Sequence, residues 1–241
     1  MFFPHHRIFA PMQKTTCSLD RCFLCRHSLP EWKELVAIKK QTFLIKKGRQ
    51  IFEEGDAVQG IFFMNEGTVK VSKNWGEQKE LILRFARPGD VLGHRGFGGD
   101  LQYPVSATAI EETKLCFVDN AFLASSLAAN TNLTFQFMQL YAAELQRIEK
   151  RMRDLAHMDV KGRIAQALLD IQATFGTGGD DFIAVPVSRQ DIASYAGTTY
   201  ETVFKFFTEL TAKEALVTVG KNLKIRDRKA LETYLKTDSF E

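Results

Sequence analysis

The stretch between residues 187 and 225 constrains the fold most strongly, because it carries the start signals of two short helices on either side of one glycine. Ser188 is followed three residues later by Asp191, which is a capping box: the serine hydroxyl accepts a hydrogen bond from a backbone N–H at the helix start. Gly197 then provides a tight turn. Two helices connected in this way form a helix-turn-helix.

The second helix of this pair is predicted to be amphipathic. We expect it to start at a second capping box, formed by Thr198 and Glu201. Four apolar residues at helical spacing are predicted to face the core: Val203, Phe206, Phe207 and Leu210. The N-terminal half of such a helix enters the major groove of DNA. The residues expected to point outward toward DNA are Thr199, Tyr200, Glu201, Phe204, Lys205 and Thr208.

A short β-hairpin is predicted after the second helix. Residues 216–219 and 223–225 are rich in aliphatic and β-branched side chains, and the segment between them begins with Gly220 and ends with Asn222, which are turn residues. The hairpin makes this unit a winged helix-turn-helix.

The run S-R-Q-D-I…G-T-T-Y-E-T-V-F-K, with the hairpin after it, resembles the DNA-binding domain of the Crp/Fnr superfamily of bacterial transcription regulators. The resemblance implies that Arg189 meets a DNA phosphate and that the family's reading motif E-x-x-[ST]-R falls on Glu201, Phe204 and Lys205. Lys205 presents a point charge where arginine would offer a bidentate fork to guanine. Phe204 can pack on a thymine methyl but cannot hydrogen-bond a base edge. We therefore predict a half-site that differs from the family's usual one.

The predicted DNA-contacting residues are Ser188, Arg189, Gln190, Thr199, Tyr200, Glu201, Phe204 and Lys205. Two alternatives stay open at this point. Glu201 can serve only as a helix cap, and Arg189 and Lys205 can be solvated charges.

Net charge does not by itself point to DNA. The chain carries a formal charge of only +3, and residues 184–229 hold eight basic against five acidic side chains, so the prediction rests on motif geometry. No apolar run approaches the roughly 20 residues that a spanning helix needs. The N-terminal residues lack the continuous apolar core of a secretion signal, since Pro4, His5, His6 and Arg7 interrupt them. We expect a cytoplasmic protein with no membrane partner.

Three cysteines lie within nine residues: Cys17, Cys22 and Cys25, and the fourth cysteine of the chain is Cys116. In a chain without an export signal, this clustering favours metal or redox chemistry over structural disulfides. The C-x4-C-x2-C spacing is that of plant-type ferredoxins, which hold two iron atoms. A tetrahedral zinc site, a thiol–disulfide switch and unligated thiols are the alternatives.

Short strands alternate with glycine-containing turns between residues 44 and 117, a pattern typical of a sandwich or jelly-roll barrel. The motifs F-x-x-G-D, E-G-x-V-x-V and P-G-D-V-L-G resemble the cyclic-nucleotide-binding-like sensor domain of the same superfamily, so the resemblance spans roughly residues 30–235. Cyclic-AMP binders carry Gly-Glu and then an arginine for the phosphate. Here Gly93 precedes His94, and the segment Y-P-V-S-A has no arginine. A buried phosphate without a cation is costly, so we predict that cyclic nucleotide is not the ligand.

The position of Cys116 matches the distant fourth ligand of the oxygen-sensing Fnr proteins. The resemblance therefore implies an iron–sulfur cluster on Cys17, Cys22, Cys25 and Cys116. It favours four iron atoms, although the cysteine spacing departs from the best-known Fnr pattern, which has two and then five residues between its N-terminal cysteines.

A long helix is predicted over residues 131–158, which contain neither glycine nor proline. Five residues step by four, three, four and three along it, the a/d seam of a coiled coil: Tyr141, Leu145, Ile148, Met152 and Leu155. Charged residues flank the seam, among them Glu144 and Arg151. We favour a homodimer seam over packing of this stripe on the chain's own barrel. A hinge at 158–159 leads to a helix over 160–175, whose inward stripe is Ile164, Leu168 and Ile171.

Together these predictions describe an α+β protein with a β jelly-roll, a long dimerisation helix and a C-terminal winged helix-turn-helix. The predicted segments are 1–29 with the cysteines, 30–125 for the roll, 126–158 for the dimerisation helix and 159–241 for DNA binding. We expect a homodimeric regulator that binds a pseudo-palindromic operator, senses oxygen, redox state or nitric oxide, and has RNA polymerase as a partner. A regulator with a small-molecule effector in the roll and no cluster is the alternative. No catalytic constellation appears at informative spacing, so an enzyme is not expected.

Overall fold

The computed structural model describes residues 22–76 and 79–235, so Cys17 lies outside the described residues. The chain divides into two compact units. Of the described residues, one unit comprises 22–69 with 86–137, and the other comprises 70–76, 79–85 and 138–235. In the described part of the chain, no helix is long and apolar enough to cross a membrane.

The helices and strands follow one another in two groups. The first group is α1 (Phe23–His27), α2 (Lys33–Lys39), β1 (Gln41–Ile45), β2 (Gln50–Phe52), β3 (Gly60–Glu66), β4 (Val69–Trp75), β5 (Lys79–Ala86), β6 (Val91–Leu92), β7 (Ser106–Ala109) and β8 (Thr113–Asp119). The second group is α3 (Asn120–Ala129), α4 (Thr131–His157), α5 (Val160–Phe175), α6 (Arg189–Ala196), α7 (Tyr200–Ala212), β9 (Leu216–Val219), β10 (Asn222–Ile225) and α8 (Arg228–Glu232). The predicted α+β class, with a β-rich N-terminal part, a long helix and a C-terminal helix-turn-helix, is confirmed.

An antiparallel sheet with strand order β1-β8-β3-β6 forms the centre of the first unit. Its two faces have different partners. On one face the ring of Phe62 packs 4.9 Å from Phe117 and 5.8 Å from Phe52 of β2, which pairs with β7. Cys116 and Phe63 are the neighbouring pair in the register, so they point to the opposite face. They lie directly across from each other there, because opposed residues of an antiparallel pair point the same way. This second face is the one that the cysteine-bearing helix covers.

Three helices of the second unit pack around buried aliphatic and aromatic stripes. The inward residues predicted for α5 are buried: Ile164, Leu168 and Ile171. The four predicted for the second helix of the pair, α7, are buried as well: Val203, Phe206, Phe207 and Leu210. The wing strands β9 and β10 pair with Asn222 opposite Val219, so the turn between them contains only Gly220 and Lys221. Gly220 has a φ of 60°, as such two-residue hairpin turns require.

Candidate DNA-reading helix and cysteine site

The first helix of the pair begins as the sequence predicts. Ser188 is the N-cap of α6, and its hydroxyl oxygen accepts a hydrogen bond from the Asp191 backbone N–H at 3.0 Å. The same hydroxyl donates to the Asp191 carboxylate at 2.5 Å, and Lys70 forms an ion pair with that carboxylate at 3.1 Å. Three groups therefore hold the start of this helix.

The turn between the two helices requires glycine. Gly197 lies in the left-handed region with a φ of 64°, and a Cβ there would lie 3.1 Å from Cδ2 of Leu155. A substitution would meet both backbone strain and a side-chain contact. This agrees with the turn position that the sequence predicts.

The predicted cap of α7, the second helix of the pair and from here on the recognition helix, is wrong by one residue. The N-cap of α7 is Thr199, whose hydroxyl accepts a hydrogen bond from the Thr202 N–H at 3.3 Å. Thr198 belongs to the turn, because its N–H bonds to the Ala193 carbonyl at 3.0 Å and closes the end of α6. The capping pair is therefore Thr199 and Thr202 in place of Thr198 and Glu201.

The recognition helix presents the predicted outward face to solvent. Its exposed residues include Thr199, Tyr200, Glu201, Phe204, Lys205 and Thr208. Gln190 on α6 is also exposed, whereas Ser188 and Arg189 are half-buried. The Arg189 guanidinium lies 5.7 Å from the centre of the Phe207 ring, so a core aromatic of α7 orients this cation.

Glu201 is held locally at the start of α7. Its own backbone N–H and the Thr199 hydroxyl both interact with the carboxylate, and they hold the pKa of Glu201 below its usual value. The ionised carboxylate can accept a hydrogen bond from cytosine. Its local partners are those of a helix cap, the alternative role considered for this residue.

A half-buried cluster around Arg151 supports α6, and the sequence did not predict it. The Arg151 guanidinium of α4 lies 4.0 Å from the centre of the Tyr195 ring. It donates to the carbonyls of Ile82 at 2.7 Å and Leu83 at 3.3 Å, and to that of Tyr195. Arg151 thus joins α4 to β5 and α6, although its place in the helical repeat marked it only as a flanking charge.

The Tyr195 hydroxyl continues this cluster. It donates to the Asp170 carboxylate at 3.2 Å, which also accepts from Gln166 at 2.7 Å. Burial, with the nearby Asp170 charge, raises the pKa of Tyr195 to about 12. Burial also raises the pKa of Asp170. No local sequence signal marks Tyr195 and Asp170 as partners, because they come from separate helices.

The cysteine site of the first unit lies on the covered face of its sheet. Cys22 is the N-cap residue of α1, Cys25 lies within α1, and Cys116 lies on β8; each is at most 2% exposed. Beside Cys22, the Phe23 ring stacks 6.5 Å from Phe63, the residue opposite Cys116. The helix that bears two cysteines therefore packs on the part of the sheet that bears the third.

The three described cysteines, Cys22, Cys25 and Cys116, form no disulfide with one another. Lys40 donates to the Cys25 sulfur at 3.9 Å. Among residues 22–76 and 79–235, no group of three or more His, Cys, Asp or Glu side chains is arranged to hold a metal ion. The set predicted from the sequence also includes Cys17, which lies outside this range. Thiolates are the donors that iron–sulfur clusters and structural zinc use, so the donor chemistry of the described thiols fits both groups.

Four of the five predicted seam residues on α4 are exposed. Tyr141 is 41%, Leu145 57%, Ile148 38% and Met152 64% exposed, whereas Leu155 is half-buried. Met138 continues the exposed stripe by one step toward the helix start. The homodimer seam on this stripe stays a prediction.

The amino-acid sequence matches two protein families. Residues 43–130 match the cyclic nucleotide-binding domain, and residues 162–234 match the Crp-like helix-turn-helix domain. The transcriptional activator protein FnrA of Stutzerimonas stutzeri is 28% identical over 214 residues, which cover 88% of this chain and 87% of FnrA. A CRP-like cAMP-activated global transcriptional regulator of Mycobacterium tuberculosis is 27% identical over 77% of this chain and 84% of its own length.

A solved structure has the same fold. FixK2 from Bradyrhizobium japonicum superposes with a TM-score of 0.72 at 24% identity, over 84% of this chain and 98% of FixK2. The likeness therefore extends over both the β-rich part and the helix-turn-helix.

Proposed function

Because the chain belongs to the Crp/Fnr family of DNA-binding transcription regulators, which are not enzymes, we propose that it is a homodimer whose operator binding is controlled by an oxygen- or nitric-oxide-labile iron–sulfur cluster. The observation that carries this proposal is that Cys22 and Cys25 of α1 and Cys116 of the sheet on which α1 packs are all buried. The proposed ligands are these three residues and Cys17. We favour four iron atoms over two, from the family resemblance.

The cysteine-bearing helix is tied to the start of the long helix. The Phe23 ring meets the Phe137 ring of α4 edge-on at 5.1 Å, and the Asn132 side chain donates to the His27 carbonyl at 3.2 Å. Just after α1, the Leu29 N–H donates to the Asn130 side chain at 2.8 Å. The position of α1 is therefore linked directly to the first turns of α4.

A bound cluster would supply oxygen-labile iron–thiolate bonds between the N-terminal cysteines and β8. Ligands that converge only in the folded chain convert binding free energy into ordering of the segments that carry them. The segment ordered here is α1, which packs on the start of α4. We propose that release of Cys22 and Cys25 from this arrangement frees α1 and weakens the support of α4.

The proposed dimer seam lies further along α4. Exposed apolar residues at a/d spacing are stable in water when a second helix covers them, and two copies of one helix can do so symmetrically. The seam is Tyr141, Leu145, Ile148, Met152 and Leu155. A monomer would hold only one half-site and about half of the phosphate contacts, so its affinity would fall by orders of magnitude.

The proposed DNA contacts are the eight residues predicted from the sequence. We propose that Arg189, whose guanidinium lies 5.7 Å from the centre of the Phe207 ring, contacts a phosphate and that the exposed residues of α7 contact the bases. The operator is proposed to be pseudo-palindromic, as a twofold dimer requires. From the family we also propose a cytoplasmic location and contact with RNA polymerase.

The interior of the roll bears on the alternative of a small-molecule effector. Tyr103 stacks 4.1 Å from Phe52, and its hydroxyl donates to the Gly60 carbonyl at 2.8 Å. A Cβ on Gly93 would lie 3.0 Å from the Tyr103 ring, so this ring fills the space beside the residue where cyclic-AMP binders place their cassette. This packing supports our expectation that cyclic nucleotide is not the effector.

The test is an anaerobic preparation followed by controlled aeration. We expect broad visible absorbance, stoichiometric iron and sulfide, and a dimeric mass under anaerobic conditions. Air should bleach the absorbance, and dissociation and loss of operator affinity should follow with the same time course. A colourless, iron-free dimer after anaerobic reconstitution, whose DNA affinity does not respond to air, would contradict the cluster and favour an effector in the roll.

A further inference from the structure

We propose that Tyr200 and Phe204 form an aromatic ridge that reads thymine methyl groups in the operator half-site. This inference rests on the proposed function, since it assumes that α7 enters the major groove. It concerns a different property, namely which chemical group on the bases determines specificity.

The polar side chains of the outward face are largely occupied within the helix. The Thr199 hydroxyl caps α7 and lies 3.1 Å from the Thr202 hydroxyl. The Thr208 hydroxyl donates to the Phe204 carbonyl at 3.0 Å. Glu201 interacts with Thr199 and with its own backbone N–H. These hydrogen bonds compete with any bond that the same groups would make to a base.

The aromatic side chains, by contrast, face solvent. Tyr200 is 41% and Phe204 52% exposed, and their rings stack at 6.4 Å with an angle of 23° between planes. They lie four residues apart, so they occupy neighbouring positions on one helix face. Stacking holds each ring in one orientation and lowers the entropy cost of ordering it at an interface.

Only one group in the major groove suits such a surface. The thymine C5-methyl is the one apolar group that the base edges display there, whereas the others are hydrogen-bond donors and acceptors. Phe204 has no polar atom in its side chain, so opposite guanine it would leave the base acceptors unpaired. Lys205, the next residue, is exposed and carries the positive charge that draws this face toward DNA.

The size of the effect follows from the area that a methyl buries. Burying one methyl-sized group changes an equilibrium constant by about fourfold. A dimer places the ridge in two half-sites, so removal of the contacted methyl from both should weaken binding by about 16-fold if the sites are independent.

The experiment starts from operators selected out of random DNA by the full-length dimer in its DNA-binding state. Each thymine is then replaced symmetrically by deoxyuridine, which removes only the methyl and keeps the O4 acceptor. We expect the affinity of the wild type for the operator to fall by about 16-fold when one or two particular thymine positions are replaced. The Phe204→Ala variant should bind the thymine operator more weakly and show no further loss with deoxyuridine at the position that Phe204 contacts.

Thr208→Ala is the matched control, because it lies one turn further along the same exposed face and should retain the full deoxyuridine effect. If the wild type selects a sequence but tolerates deoxyuridine at every position, the ridge does not read methyl groups and only this inference fails. Equal deoxyuridine losses in wild type and Phe204→Ala would also overturn it. If the dimer selects no sequence at all, the proposed function fails together with the inference.

Discussion

The side chains proposed to act at the cysteine site and those proposed to act on the recognition helix lie in opposite environments. Cys22, Cys25 and Cys116 are at most 2% exposed, whereas Tyr200 and Phe204 are about half exposed. A side chain on the surface can act by direct contact with DNA. A buried side chain can influence a distant event only by changing the order or position of the segments that contain it.

The two regions should therefore respond differently to substitution. A change at the buried cysteines should alter how DNA binding responds to a signal. A change at Tyr200 or Phe204 should alter which DNA sequence is bound. The cluster around Arg151 is a third case. A change there should alter the stability of the helix-turn-helix, since its residues are not among the proposed DNA contacts. The predictions that follow test this division, in order of decreasing effect.

The largest effect is expected for Cys116→Ala. Under the proposed function, this variant should lose the difference between anaerobic and aerated DNA affinity, a difference of about 10²–10⁴-fold between dimeric and monomeric binding. Val118→Ala is the matched control, because Val118 is equally buried on the same face of β8 two residues further on. Fluorescence titration of labelled operator in both atmospheres measures the change. Retention of the air response in Cys116→Ala would break the comparison.

A smaller effect, on stability, is expected for Arg151→Met. The variant leaves the carbonyls of Ile82 and Leu83 without their cationic donor, at a cost of about 1–3 kcal/mol. Arg153→Met provides the control, since its side chain is 64% exposed and pairs with the adjacent Asp154. The control should cost less than about 1 kcal/mol. Urea unfolding measures the free energy of unfolding of both variants. Equal losses would show that the cluster around Arg151 does not stabilise the helix-turn-helix.

A dependence on alkaline pH is expected from Tyr195. A tyrosine in the unfolded chain ionises near pH 10, whereas the pKa of Tyr195 in the folded chain is about 12. Between these values the unfolded chain loses protons first, so stability falls as the pH rises, by about 2 kcal/mol near pH 12. Tyr195→Phe should flatten this slope, and Tyr200→Phe on the exposed face should not. Urea midpoints between pH 9 and 12 provide the measurement, and an unchanged slope in Tyr195→Phe would contradict the prediction.

The smallest effect is expected at the start of α6. Ser188→Ala removes the side-chain cap and should lower the free energy of unfolding by about 1 kcal/mol. Ser188→Thr keeps a hydroxyl at the N-cap and should recover most of the loss. Thermal unfolding of the three proteins compares them. If the threonine variant is as unstable as the alanine variant, the loss does not come from the cap.

Much of the reading unit could be predicted from the sequence because its signals are local. The spacing of Val203, Phe206, Phe207 and Leu210 predicted the buried stripe, and the bounds predicted for α5 agree with the helix observed at Val160–Phe175. One local error, the placement of the cap at Thr198, arose because two adjacent threonines offer the same hydroxyl. The backbone bond from Thr198 to Ala193 decides between them.

The surroundings of Arg151 could not be predicted in this way. Its position on α4 marks it as a flanking charge, yet its partners come from β5 and α6, far away in the sequence. Likewise, the clustering of Cys17, Cys22 and Cys25 is visible in the sequence. The position of Cys116 relative to these residues is not visible there. It depends on the register of β3 and β8, which puts Cys116 opposite Phe63, the residue on which the Phe23 ring stacks.

The sequence by itself determined the helix-turn-helix, its outward residues, the strand-rich N-terminal part and the apolar stripe on α4. These features follow from spacing within one or two turns of chain, where geometry is set by the period of the helix or strand. Only the tertiary structure decided that the described cysteines are buried where α1 packs on the sheet, that the stripe on α4 is exposed, and that Arg151 supports α6. Burial and contact between distant segments depend on strand register and side-chain packing, which no local period encodes.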